Sequence, residues 1–255
     1  MSLTRTPIAA ILVIGNEILS GRTRDANLPF LAQALGEIGI RLAEARIVPD
    51  EEEAIIAAVN ALRAKYDHVF TSGGIGPTHD DITAASIAKA FHVSLARNPQ
   101  AEKLLVDHYG LENLNPMRLR MADIPVGGRL IDNPVSRAPG FTLGNVHVMA
   151  GVPAIFQAMF AMLRLELEGG PPLLARTVRA FVAEGEMAAR LKEIQEAHLA
   201  VTVGSYPFIR HGKLGTSIVV RGTDRSLIAA AATEIAEFMQ SLGGDPLEQD
   251  GEERT

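Results

Sequence analysis

The stretch Thr71-Ser72-Gly73-Gly74-Ile75-Gly76-Pro77-Thr78-His79-Asp80-Asp81-Ile82-Thr83 sets three glycines directly ahead of two aspartates. Glycines allow the backbone to approach a ligand closely. Where a strand ends and a helix begins, unpaired N–H groups and the positive end of the helix dipole favour an anion such as phosphate. A phosphate-binding loop of the kinase type would need Gly-Lys-Ser/Thr here, and a dinucleotide fingerprint would need another glycine spacing. The aspartates repel a phosphate unless a cation lies between them, so the pattern predicts Mg²⁺, Mn²⁺ or Co²⁺ on oxygen ligands. Ser72 and Thr83 are candidate donors to phosphate oxygens, although either hydroxyl could serve local backbone instead. Glu17 follows another strand end and is a candidate second metal ligand or water-orienting base. Asp50 is equally well explained as the cap of a helix, three residues before Glu53. Asp80 fits an N-cap, with any metal contact secondary. Arg22, Arg24 and Arg137 flank the expected crevice and could pair with phosphate charge, Arg24 fitting a solvated surface best. His79, a lone loop histidine, carries no expected catalytic role.

The elements that must position these residues follow from periodicity. Ile8 to Ile14 is a continuous apolar run ending at Gly15, the pattern of a strand buried on both faces. Asn27 to Gly39 carries a helical stripe, Arg41 to Val48 reads as a strand, and a helix opens at Asp50 with Ile55, Ile56, Val59 and Leu62 buried. His68 to Thr71 is the strand that delivers the glycine loop, and a helix is expected from Asp80 or Asp81. The alternation implies a parallel sheet covered on both faces. After a helical and irregular stretch from Pro99 to Met121, Gly144-Asn145 suits a hairpin between Phe141–Leu143 and Val146–Ala150. A helix then starts at Pro153.

Glu168-Gly169-Gly170-Pro171-Pro172 has the composition of a linker. The expected layout is therefore a first domain over residues 1–168, a small α+β domain of order β-α-β-β-α over 173–242, and a frayed acidic tail over 243–255. Gly212-Lys213-Leu214-Gly215 fits the Gly-x-x-Gly pattern of some nucleic-acid-binding loops, but it falls between two expected strands and reads as a hairpin loop.

The chain has 255 residues, 47% of them hydrophobic, which supports a packed core without staples. The absence of cysteine removes disulfides, thiolate nucleophiles and Cys-based metal sites. A formal charge of −6 and no basic run argue against nucleic acid as the main partner. The N-terminal apolar run is too short for a signal segment or a membrane span, so a cytoplasmic protein with no membrane partner is expected.

The run Gly-Gly-Ile-Gly-Pro-Thr-His-Asp-Asp-Ile-Thr resembles the signature of the molybdopterin-binding fold shared by MogA-like, MoeA-like and CinA-like proteins. Gly15-Asn16-Glu17-Ile18-Leu19-Ser20-Gly21 with Asp25 and Asn27, Asn133-Pro134 with Ala138-Pro139-Gly140-Phe141, and Gly151-Val152-Pro153 select the CinA-like branch. Together these matches span residues 8 to 156. The resemblance implies a three-layer α/β domain with a mostly parallel sheet and its loops gathered at the C-terminal strand ends. It makes Asp81 the catalytic or metal-linked aspartate, with Glu17 and Asp50 in support. It also assigns Ser72, Gly73, Gly74, Gly76, Thr83, Asn133, Arg137, Gly151 and Pro153 to the ligand. The implied activity is metal-dependent pyrophosphatase action on ADP-ribose or a related dinucleotide such as FAD. The alternative is a molybdopterin-binding protein of molybdenum cofactor biosynthesis, without turnover. The C-terminal unit resembles the family's KH-like middle domain. No room remains in 255 residues for an amidohydrolase domain, so no deamidase activity is expected. A homo-oligomer, dimer or trimer, is expected.

Overall fold

The computed structural model describes residues 6–251, and the outermost part of the tail expected to fray lies outside the described residues. The chain divides into two compact units between Gly170 and Pro171.

The first unit runs β1 (Ile8–Ile14), α1 (Asn16–Leu19), α2 (Asn27–Glu37), β2 (Arg41–Val48), α3 (Glu52–Arg63), β3 (His68–Ser72) and α4 (Thr83–Ala90). It continues with β4 (Leu95–Arg97), α5 (Pro99–Tyr109), α6 (Pro116–Leu119), β5 (Asp123–Pro125), β6 (Arg129–Ile131), β7 (Gly140–Leu143), β8 (Val146–Met149) and α7 (Pro153–Leu163). The main sheet has the order β2-β1-β3-β8-β7-β6. β2, β1, β3 and β8 are parallel, and β7 and β6 extend the sheet antiparallel. The apolar run of β1 serves both faces. Ala10, Leu12 and Ile14 pack with Ile55, Val59 and Leu62 of α3 and Ile87 of α4, while Ala9, Ile11 and Val13 pack with Leu31 and Leu35 of α2 and Phe156 and Phe160 of α7. This is the three-layer, mostly parallel arrangement that the alternation implied, and each fully buried Ile or Leu adds about 1.5–3 kcal/mol.

The second unit runs β9 (Leu174–Ala180), α8 (Glu184–Ala197), β10 (Thr202–Arg210), β11 (Lys213–Gly222), α9 (Arg225–Ser241) and β12 (Leu247–Asp250). Its antiparallel sheet has the order β10-β11-β9-β12. The segment expected to fray therefore adds a strand. β12 pairs with β9 from Leu247↔Arg179 to Asp250↔Arg176, and Arg176 reaches the carboxylates of Glu248 and Asp250. Backbone pairing at an open sheet edge overrides the polar composition that suggested disorder. Gly215 lies within β11, and the connecting turn is His211-Gly212.

Candidate functional site

The loops after β1, β2, β3 and β8 all leave the same edge of the parallel sheet and enclose a cavity of about 570 Å³. This is the crevice where open α/β sheets place ligands, and its size is that of a small-molecule site. Glu17, Asp50, Gly73, Gly74, Gly76, Asp80, Asp81, Asn133, Gly151 and Pro153 line it, as does an apolar wall that includes Ile14, Ile75 and Ile155.

The glycine loop is built by close approach. Gly73 and Gly74 have φ of 110° and 69°, and a Cβ on either would collide, with the Ile14 carbonyl oxygen and the Thr83 hydroxyl respectively. Two details differ from the sequence expectation. The Gly73 N–H is spent on the Met149 carbonyl at 3.2 Å, so Gly73 shapes the loop, and the amides of Gly74, Ile75 and Gly76 are those without a protein partner among the described residues. The helix α4 begins at Thr83, not at Asp80 or Asp81. Asp81 instead closes a small ring: its Oδ2 accepts from the Thr78 N–H at 2.7 Å and the Thr78 hydroxyl at 2.5 Å. Asp80 accepts from the same hydroxyl at 2.6 Å, a bond that holds its carboxyl below the usual carboxylate range, and it caps no helix. The helix whose N-terminus borders the crevice is α7, which follows Gly151-Val152 with Pro153 in its first turn.

Several expected ligand contacts turn out to be braces. Thr83 is fully buried, and its hydroxyl donates to the Gly73 carbonyl at 3.0 Å. Ser72 is buried behind the loop and accepts from Asn27 Nδ2 at 2.7 Å. Asn27 Nδ2 also donates to the Gly151 carbonyl at 2.7 Å, which ties the two glycine loops together. Asp25 accepts from the Asn27 and Leu28 amides and anchors the start of α2. Asn133 touches the crevice but is itself 1% exposed. Its side chain bonds Ser136 Oγ and the Ala138 carbonyl and accepts from the Val135 and Ser136 amides. That turn gives Arg137 a φ of 60° and brings it within 3.8 Å of Asp132, so Arg137 does not line the crevice. Arg22 and His79 do not line it either, and Arg24 lines a smaller pocket of about 50 Å³ beside Glu17 and Asn27.

Asp50 is no helix cap, because α3 starts at Glu52 and the Asp50 carboxylate accepts from the Asn16 N–H at 2.8 Å, linking the loops after β1 and β2. The Glu17 carboxylate folds back over Gly15, where an added Cβ would lie 2.6 Å from Oε2. Among the described residues, Glu17, Asp50 and Asp81 make no ion pair. The cation that does line the crevice is Arg118, stacked 4.6 Å over the Tyr109 ring and bonded to the Asn113 carbonyl. It was missed because α5 and α6 lie in the irregular stretch. The readable signal was the repeated Asn-Pro pair: Asn98 and Asn115 each cap the helix that Pro99 or Pro116 opens.

Oxygen donors of this kind suit a hard cation. Among the described residues, no three His, Cys, Asp or Glu side chains are grouped so as to hold one. Mg²⁺-like ions are commonly held by one or two carboxylates with substrate phosphates and water completing the shell, so the donor set fits an ion shared with a ligand.

An open α/β sheet with a glycine loop and uncompensated acids at its C-terminal edge defines a protein with a small-molecule crevice. Residues 10–169 match the family model described as "Probable molybdopterin binding domain", and residues 172–243 the model described as "FAD synthase, middle domain". A protein of Pyrobaculum aerophilum is 30% identical over 93% of this chain and 96% of its own length. A CinA-like protein of Desulfosudis oleivorans is 37% identical over 68% of this chain and 45% of its own. The crystal structure of the protein CinA with unknown function from Thermoplasma acidophilum aligns with 63% of this chain and 98% of its own, at 34% identity and TM-score 0.60. The chain belongs to the molybdopterin-binding-domain family, in its CinA-like branch. It spans about half the length of the CinA-like relatives it matches. No helix among the described residues is long and apolar enough to cross a membrane.

Proposed function

We propose that the crevice hydrolyses the phosphoanhydride of ADP-ribose or a related dinucleotide with the help of a divalent cation. The observation that carries this reading is the juxtaposition of unpartnered Gly74, Ile75 and Gly76 amides with Glu17, Asp50 and Asp81, none of which is neutralised by a protein cation. Amides alone would suit a phosphate, and acids alone would repel it; the two together suit a phosphate that arrives with a cation. In this reading the glycine loop holds one phosphate and Arg118 offsets charge on the ligand. Asp81, oriented by Thr78, and Glu17 or Asp50 would hold Mg²⁺, Mn²⁺ or Co²⁺. When bound, the cation polarises the phosphoryl oxygens and lowers the pKa of water. Glu17 accepts the proton of the attacking water, whose oxygen bonds to phosphorus as the bridging P–O bond breaks, giving two monophosphates.

A second reading is a pterin-binding protein without turnover, in keeping with the family model's description as a molybdopterin binding domain and with an apolar crevice wall that suits a ring system. Product analysis with ADP-ribose, FAD and related dinucleotides across Mg²⁺, Mn²⁺ and Co²⁺ separates the two. AMP release that depends on the cation supports hydrolysis; tight pterin binding with no product from any dinucleotide supports the second reading.

A further inference from the structure

The two flanks of the crevice differ in chemistry. β7 is antiparallel to both β8 and β6, so β6 runs with the parallel strands and the loop after it leaves the same sheet edge as the other crevice loops. In the order β2-β1-β3-β8-β7-β6, the glycine loop of β3 stands between β1 and β2, which lead to Glu17 and Asp50, and β6, which leads to Ser136 and Ala138. All four of these side chains line the cavity. The acids therefore lie on one flank of the phosphate loop, and the other flank carries none of them.

That second flank is closed by the α5–α6 segment, which contributes Tyr109, Arg118 and Met121. Met121 also shares a smaller pocket with Pro139 and Phe141 around the start of β7, which sets the segment on this side. The Arg118 guanidinium lies 4.6 Å from the centre of the Tyr109 ring and is held there by the Asn113 carbonyl at 2.6 Å. Two residues on, Arg120 Nη1 donates to the Thr78 carbonyl at 3.3 Å and ties the segment to the loop that carries Asp81. Ser136 Oγ accepts from Asn133 Nδ2 at 2.7 Å. A hydroxyl that accepts there has one proton left to give, and among the described residues that proton has no protein acceptor.

We infer that this flank is a nucleobase seat: a planar ring lies against the Tyr109–Arg118 pair, and the Ser136 hydroxyl donates to a ring nitrogen. Tyrosine and guanidinium planes both stack on bases, and base rings present acceptor nitrogens to a positioned hydroxyl. A bare phosphate or sugar phosphate would use the charge of Arg118 but neither the ring of Tyr109 nor the proton of Ser136. The inference rests on the reading of the crevice as the ligand site, and it does not require turnover there. It makes Tyr109, Arg118 and Ser136 the residues that select a nucleotide over a phosphate ester without a base.

The test is titration calorimetry of the full chain with AMP and with ribose 5-phosphate, which keeps the sugar and phosphate and lacks the base, each in saturating Mg²⁺. AMP should bind about tenfold tighter, the worth of one stacked base. Tyr109→Leu keeps an apolar side chain against the core on which Tyr109 packs, and it should remove about tenfold of AMP affinity while leaving ribose 5-phosphate unchanged. Arg118→Lys keeps the charge and loses the plane, so it should weaken AMP more than ribose 5-phosphate. Ser136→Ala should weaken AMP alone, by about threefold; an equal loss for both ligands would mean that it acts only through the turn and would remove Ser136 from the seat. Circular dichroism confirms the fold of each variant, and where Tyr109→Leu unfolds, the Arg118 variant decides. Equal affinity for the two ligands in the parent chain, or AMP affinity unchanged in the folded Tyr109 and Arg118 variants, would overturn the inference. AMP binding without turnover of any dinucleotide keeps the seat and removes the hydrolysis, whereas cation-dependent turnover without preference for the base does the reverse.

Discussion

Two sets of acids in the first unit are treated in opposite ways. On the edge strand β2, Glu44 accepts hydrogen bonds from Tyr66, Lys65 and Arg46, which pull its carboxyl down to about 2. At the crevice, Asp50 accepts from a backbone amide and Asp81 from a backbone amide and a threonine hydroxyl, and among the described residues neither they nor Glu17 pair with a cation. Glu44 is neutralised where it stands, while the crevice acids are left uncompensated, Asp50 and Asp81 being oriented by amides and a hydroxyl. The same contrast runs along the strands. Their C-terminal ends carry the open loops; toward the other end, His147 is buried, bonded to His68 at 3.1 Å and Thr142 at 3.0 Å, and stacked on Phe70.

The contrast is sharpened most by Glu17→Gln. Loss of a general base should lower kcat by about 10²–10⁴-fold with little change in dinucleotide affinity, measured by steady-state kinetics and titration calorimetry. An equal loss of affinity would place Glu17 in binding instead.

A stability effect should come from His147. Burial, then the neighbouring His68 and Arg129, push its pKa from 6.5 down to about 3. The folded state therefore holds the ring neutral while the unfolded chain takes up a proton, so this contribution is full above pH 6.5 and lost as pH falls toward 3. The loss should be about 3 kcal/mol by pH 4, read from urea unfolding. His147→Gln should flatten the profile over that window, and an unchanged slope would remove His147 as its source.

Asn133→Ala should cost about 1–3 kcal/mol, because it strands several buried partners of one turn. Urea midpoints measure this, and a change within error would mean the turn reorganises without it. The smallest effect belongs to Glu44→Gln, which should leave turnover unchanged. Its stability difference from the parent chain should be present above pH 4.5 and vanish as pH falls toward 2, the window set by the Glu44 shift. A loss of turnover in this variant would break the division between the two sets of acids.

These differences explain what the sequence could and could not disclose. β1 was legible because seven apolar residues ending in glycine have few other uses, and the glycine loop because its close approaches exclude side chains. The roles of Ser72 and Thr83 were not, since a hydroxyl beside a glycine loop reads alike whether it faces the ligand or the backbone. Asp80 and Asp50 carried the spacing of helix caps, yet their partners, Thr78 and Asn16, were fixed by loop geometry and not by helix periodicity. Arg118 reaches the crevice through the packing of α5 and α6, a tertiary event without a local signature. β12 is polar and became a strand because β9 offered an edge.

The central claim is that the uncompensated acids of the crevice support phosphoanhydride hydrolysis, and Asp81→Asn tests it most directly, since asparagine retains an acceptor for Thr78 while removing the charge. AMP release from ADP-ribose, FAD and related dinucleotides should be cation-dependent in the parent chain and in Glu44→Gln, and lost in Asp81→Asn of unchanged thermal stability. Full turnover in a folded Asp81→Asn protein would contradict the account.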